Sequence, residues 1–303
     1  MKKIRKSFIF LVLFLFLISC NKTDVTPTYI VIDKEDIVVS LSNLDLGQFN
    51  SPSGLTAHDF SDIWLTANGE KIGSWELPCK IPILETGEVK LVIQPGIKLN
   101  AMSTTRPIYP FLSQYTTTIQ AVKGQEVLIK PVFNYYSTGL YFPLVENFES
   151  AGTEFTSLDT NLPAFSKVYD SELIYQNAYD LTDINTCSGY IQLKDTISSF
   201  EVISPEIDLP GNGRSVFLEL NYKCDQTLNI GLIISQSSSI PTNENLLVLR
   251  STNGVWKKAY INLTLAVSRN LTATGFRILL SGNKQTTSQA DYYFDNIRVL
   301  YTY

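Results

Sequence analysis

The sequence predicts an all-β protein built as two consecutive sandwich-type modules. Three observations carry this. Past residue 20 no stretch holds a helical period for long, and short alternating runs separated by turn residues take its place. Tyr, Phe, Val, Ile and Thr are abundant while Met is nearly absent, a composition that suits pleated, half-buried surfaces. Most of the 303 residues lie beyond residue 20, enough for two ordinary cores.

The first twenty residues read differently. Lys2, Lys3, Arg5 and Lys6 precede an unbroken apolar run from Phe8 to Ile18. As a helix that run reaches about 17 Å, roughly half a bilayer core, which is too short to span. A basic start, a short apolar run and a small residue before the cut mark a secretory signal. Leu17-Ile18-Ser19-Cys20 resembles the lipobox of bacterial lipoproteins, with a bulkier residue than usual at Ile18. The resemblance implies a signal peptide over 1–19 and acylation of Cys20, the palmitate-type anchor of an outer-membrane lipoprotein. Several acyl chains make a lasting anchor where one is marginal. Residues 20–27 then read as a polar tether. Its Lys22 and Asp24 are similar to the surface-export signals of Bacteroidota lipoproteins, which implies exposure at the cell surface.

A first module is expected over 28–139. Residues 36–42 read as a strand, and residues 62–67 and 70–77 flank Asn68-Gly69. Asn-Gly between such runs signals a two-residue hairpin, because both positions tolerate positive φ. Another strand is expected over 88–94, stopped by Pro95-Gly96. Residues 115–121 and 126–136 suggest a hairpin around Lys123-Gly124, with Pro131 marking an edge or a bulge.

Ser137-Thr138-Gly139 breaks the pattern, and a second module is expected over 140–303. Its strands are expected at 190–193, 200–203, 215–223, 228–235, 246–250, 255–262, 275–280 and 292–300. Asn253-Gly254 suggests a second hairpin. Short strands at this spacing indicate a sandwich or jelly roll.

The second half carries Glu146-Asn147-Phe148-Glu149-Ser150, then Ser204-Pro205-Glu206-Ile207-Asp208-Leu209, then Trp256-Lys257-Lys258. It closes on Tyr293-Phe294-Asp295-Asn296-Ile297-Arg298-Val299. In that order these segments resemble the lectin-like jelly roll of cleaved-adhesin and choice-of-anchor J domains, akin to MAM domains and carbohydrate-binding modules. Asp62 to Pro78, Gln94 to Ile97 and Arg106 to Phe111 resemble an N-terminal module of Bacteroidota lipoproteins. That resemblance implies an immunoglobulin-like or transthyretin-like β-sandwich.

Charge narrows the partners. Without the signal, 20 basic residues face 29 acidic ones, a net −9. Such a chain has no footprint for nucleic acid and is repelled by anionic lipid. Beyond Cys20, Cys187 and Cys224 could pair, or these two and Cys79 could be buried free thiols. No C-x-x-C is present, so zinc and redox chemistry lack support.

Catalytic motifs are scarce. The one histidine, His58, reads as a solvated loop residue beside Asp59, and no G-x-S-x-G offers it a nucleophile. Glu219 and Asp225 could form a hydrolytic pair only if they faced each other across a cleft. No catalytic residue is assigned, and the chain is expected to be no enzyme. The jelly-roll resemblance implies a structural calcium, with Glu149 and Asp295 as ligands and Glu146 and Asn147 beside them. The alternative for Asp295 is a hydrogen bond in a turn. Aromatic residues at 109, 111, 115, 135, 136, 141 and 142 either plug the sandwich ends and the module junction or serve as stacking surfaces.

Three functions compete. The first is a surface binding or adhesion protein for glycan or protein ligands. The second is an accessory subunit of an outer-membrane export, assembly or uptake complex. The third, ranked last, is a glycoside hydrolase.

Overall fold

A computed structural model describes residues 26–237 and 239–303. Cys20 and the leader lie outside the described residues. The first module uses β1 (Thr28–Ile32), β2 (Val38–Ser40), β3 (Asp62–Ala67), β4 (Glu70–Glu76) and β5 (Cys79–Ile83). It continues with β6 (Gly87–Gly96), β7 (Tyr115–Ala121), β8 (Glu126–Leu128) and β9 (Val132–Asn134). One sheet runs β4-β3-β6-β7, another β5-β1-β8, and β2 pairs with β9. Alternate residues such as Ile30, Ile32, Ile81, Ile83, Val89, Leu91 and Ile93 point into one core. That period of two is the signature of strands with one buried face.

The second module starts with β10 (Leu140–Glu146), β11 (Thr156–Ser157), β12 (Ser166–Val168), β13 (Ser188–Lys194) and β14 (Ser199–Ile203). Then come β15 (Val216–Cys224), β16 (Leu228–Gln236), β17 (Ser239–Leu249), β18 (Lys257–Asn262), β19 (Ala273–Asn283) and β20 (Gln289–Thr302). Two antiparallel sheets face each other. One runs β12-β13-β20-β15-β18, with β10 also paired to β20, and the other runs β11-β14-β19-β16-β17. Leu218, Leu220, Ile230, Leu232, Ile278, Leu280 and Phe294 fill the space between them. A short helix, α1 (Thr264–Arg269), buries Ala266 and Val267. The chain is therefore all-β, a β-sandwich followed by a jelly-roll sandwich.

Several sequence expectations need correction. Lys123-Gly124 does not close a hairpin: β7 pairs with β6, whereas β8 runs parallel to β1 in another sheet. Asn253 and Gly254 do adopt left-handed φ values of 55° and 77°, but they join β17 to β18, which belong to opposite sheets. Local turn chemistry sets the bend and not the destination. Strands β11 and β12 were not foreseen, nor were β1, β5 and β10. Pro82 and Pro143 obscured the last two, and β5 is an edge strand, where a missing N–H is tolerated.

The two modules do not merely touch. Phe217, Tyr260 and Leu300 of the second module belong to the core of the first. The ring of Phe217 meets Phe111 edge-on at 5.2 Å, and Tyr260 meets Tyr109 at 5.6 Å.

Candidate functional site

The outer face of the β12-β13-β20-β15-β18 sheet follows from strand alternation. On β20, Ala290, Tyr292 and Phe294 join the core, so Asp291, Tyr293 and Asp295 point the other way. Tyr190 lies opposite Tyr293 in register, and Lys223 lies opposite it on the far side. The same face carries Glu219 and Arg298 further along. The first module covers that end through the shared core residues. The segment before β13 covers the middle, where Tyr175 N–H donates to Ser188 Oγ at 2.9 Å. The end holding Tyr190, Tyr293 and Trp256 stays partly open, all three being half-buried.

These rings form a platform. Tyr190 and Tyr293 stack with centroids 4.9 Å apart and planes 26° from parallel. Trp256 stands edge-on to Tyr293 at 6.5 Å. Lys223 Nζ lies 4.4 Å from the Tyr293 centroid and 5.3 Å from the Trp256 centroid, close enough for cation–π attraction. It also donates to Leu173 O at 2.9 Å, as Trp256 Nε1 does at 3.2 Å. Polar groups rim the rings. Tyr190 Oη donates to Asp291 Oδ1 at 2.6 Å, and Gln192 Nε2 donates to both. Burial, then the Asp291 contact, pushes the Tyr190 phenol well up. Burial pulls the Lys223 ammonium down.

The covered end is a sealed polar junction. Arg298 donates to Glu219 Oε2 from Nε at 2.9 Å and from Nη2 at 2.6 Å. Its Nη1 donates to the carbonyls of Gly54 and Leu55, and Nη2 to that of Ala57. Tyr109 Oη donates to Glu219 Oε1 at 2.5 Å. Burial would push the Glu219 carboxyl up, but the Arg298 and Lys258 charges outweigh it and hold it below the usual range. Glu219 is thus fixed as a carboxylate with no open side. Asp225 instead accepts the Asp291 N–H at 3.0 Å. The two acids weighed for hydrolysis do not face one cleft.

The sequence reading of His58 as a solvated residue is overturned. His58 is 4% exposed and lies between Phe60 and Tyr179, with centroids 4.5 and 4.7 Å away and planes within 13°. Neither ring nitrogen has a hydrogen bond. Burial drives its pKa down to about 3, so the ring is a neutral stacking plate at ordinary pH.

The calcium expectation meets a poor donor set. Glu149 accepts from Thr186 N–H at 2.8 Å and Thr186 Oγ1 at 2.5 Å. Glu146 takes the N–H groups of Phe148 and Glu154. Asp295 is sealed, accepts from Ser188 Oγ at 2.5 Å and Asn296 N–H at 2.8 Å, and burial pushes its carboxyl well above the usual range. Among the described residues no three His, Cys, Asp or Glu side chains converge. As folded, these groups do not fit a hard-cation cage.

Cys79, Cys187 and Cys224 are buried free thiols. Tyr109, Phe111 and Tyr135 are buried at the junction, while Tyr136 and Tyr141 are exposed at 42% and 47%. The platform residues were not singled out from sequence. Their signal was the out-facing Tyr293 between in-facing Tyr292 and Phe294, which becomes readable once the strand's buried face is known.

No family model matches the chain, and no curated protein is similar to it. Solved structures are loosely similar to about half of the chain. One is the CBM22-1–GH10 part of endo-1,4-β-D-xylanase 10B from Clostridium thermocellum with xylohexaose: 12% identity, TM-score 0.39, over 54% of this chain and 29% of that one. Another is the K1 cleaved adhesin domain of Lys-gingipain from Porphyromonas gingivalis W83: 15% identity, TM-score 0.35, over 52% and 96%. A third is TmCBM61 with β-1,4-galactotriose: 15% identity, TM-score 0.29, over 48% and 85%.

Proposed function

We propose that the chain is a lipid-anchored, non-catalytic glycan-binding protein of the outer membrane, displayed at the cell surface. The observation that carries the binding reading is the Tyr190–Tyr293–Trp256 platform. Its three rings are each partly exposed, Tyr293 lying between the stacked Tyr190 and the Lys223 ammonium, and Asp291 and Gln192 stand at their rim. A sugar ring presents an apolar face of C–H groups and a girdle of hydroxyls, so such a surface suits it. The anchoring reading rests on Leu17-Ile18-Ser19-Cys20 and the run before it.

A glycan array with the mature chain tests the first reading. Binding is expected, and Tyr293→Ala or Trp256→Ala is expected to weaken it about ten-fold, the worth of one stacked ring. A blank array, or retention unchanged in both variants, would overturn it. Metabolic labelling with an alkyne fatty acid tests the second. Label is expected on the wild type and not on Cys20→Ala; an unlabelled wild type would reject anchoring.

A further inference from the structure

A second opening lies between the modules, a cleft of about 680 Å³. Its size falls in the range of small-ligand sites, roughly 300–1,000 Å³. The first module contributes Lys34, Lys98 and Asn100, and the second contributes Arg250, Lys257 and Lys258. Only two carboxylates, Asp59 and Glu76, face these five cations. Both are already engaged: Asp59 with Lys34 at 2.5 Å, and Glu76 with Lys98 at 3.6 Å and Arg106 at 3.2 Å.

Arg250 and Lys257 are exposed and have no ion-pair partner among the described residues. Lys258 is stranded more deeply. Its side chain is 1% exposed and its Nζ lies 3.2 Å from Glu219 Oε2, yet it makes no hydrogen bond. Glu219 is already saturated by Arg298 and Tyr109. One carboxylate therefore serves two buried cations, and a positive charge is left over beneath the cleft. Burial, and after it the Arg298 charge, pulls the Lys258 ammonium down to about 8, as expected of a cation short of counter-charge. A low-dielectric wall projects such a charge into the opening.

We infer that this inter-module cleft binds an acidic saccharide, its carboxylate or sulfate held between Lys98 on one wall and Arg250 and Lys257 on the other. A polyanion such as nucleic acid is disfavoured because the chain as a whole carries −5; a short anionic ligand meets only the local field. Asn100 and Ser61 supply polar lining, and Tyr260 an aromatic one. The inference rests on the glycan-binding reading and names the ligand's charge.

Titration calorimetry on the mature chain tests it with two acidic probes, oligogalacturonate and a chondroitin sulfate oligosaccharide, and one neutral probe, the methyl ester of the first. At least one acidic probe is expected to bind ten-fold or more tightly than the ester. In Lys98→Gln/Arg250→Gln that preference is expected to vanish while platform binding to array-positive neutral glycans persists. Equal affinity for acid and ester, or an unchanged preference in the double variant, overturns the cleft inference and leaves the platform reading intact. A blank glycan array together with no binding of any probe overturns both.

Discussion

Arg298 and Glu219, 79 residues apart in sequence, form a buried two-point ion pair whose remaining donors reach the backbone of the other module at Gly54, Leu55 and Ala57. The pair thus belongs to the second module and fastens the first. Its location explains why one carboxylate with a lowered pKa in a cleft-forming fold is a structural clamp: every Glu219 oxygen already accepts from the protein.

Removing Arg298 strips the buried Glu219 of its two aligned donors and leaves only Lys258, which makes no hydrogen bond to it, and breaking such a cluster at one member is costlier than losing it as a whole. Arg298→Met is expected to destabilise the chain by about 3–5 kcal/mol, because Glu219 and three carbonyls lose donors at once. Urea denaturation measures this. Glu219→Leu and Lys258→Met added to Arg298→Met, which take away the buried Lys258 charge together with its counter-charge, are expected to recover part of the loss, and a triple variant no better than the single one would contradict the clamp.

His58 gives the chain a pH dependence of known sign. Its folded pKa of about 3 lies below the ordinary value, so between pH 6.5 and 3 the unfolded chain binds a proton that the folded chain does not. Stability contributed by the neutral ring is therefore lost as pH falls. From pH 7 to pH 5 the loss amounts to about 2 kcal/mol. His58→Phe keeps a flat ring between Phe60 and Tyr179 and cannot protonate. Denaturation curves at the two pH values are expected to differ less for the variant by that amount.

Calcium is expected to leave stability unmoved. A site filled at a hundred times its Kd would add about 2.7 kcal/mol, visible as a clear rise in Tm. Glu149 and Glu146 instead hold backbone N–H groups, and Asp295 sits sealed against Ser188. Thermal melts in millimolar calcium and in EDTA should superimpose; a shift of several degrees would restore the cage implied by the jelly-roll resemblance.

Much of this fold is written locally, and the site is not. The end of β7 can be read directly from alternation, because Thr118 and Gln120 are exposed while Ile119 and Ala121 are buried; in β3 the pattern is softer, with Trp64 and Thr66 partly exposed between buried Ile63, Leu65 and Ala67. The Asn68-Gly69 hairpin is equally legible, since two positive φ values at consecutive positions require those residue types. What alternation cannot state is which sheet a strand joins, and the Lys123-Gly124 expectation failed on that point. His58 was misread for a related reason. Its stacking partner Tyr179 lies in the other module, and no local pattern reports it. The platform needs the same long-range knowledge: Tyr190 meets Tyr293 only through the pairing of β13 with β20.

Gly54 provides a test of how closely the modules are fitted. Its φ is +80°, and a Cβ there would lie 1.5 Å from Asn296 Oδ1, a side chain buried beside Asn221. Its N–H donates to Asp183 at 2.8 Å and its carbonyl accepts from Arg298, so the backbone cannot retreat without breaking the junction. Gly69 has a similar φ of +88° but open space around its absent Cβ. Gly69→Ala then carries only the backbone strain, about 1 kcal/mol. Gly54→Ala adds overpacking and is expected to cost about 2–4 kcal/mol. Parallel urea titrations of the two variants isolate the packing term, and equal losses would mean that the close approach of Gly54 to Asn296 contributes nothing to holding the modules together.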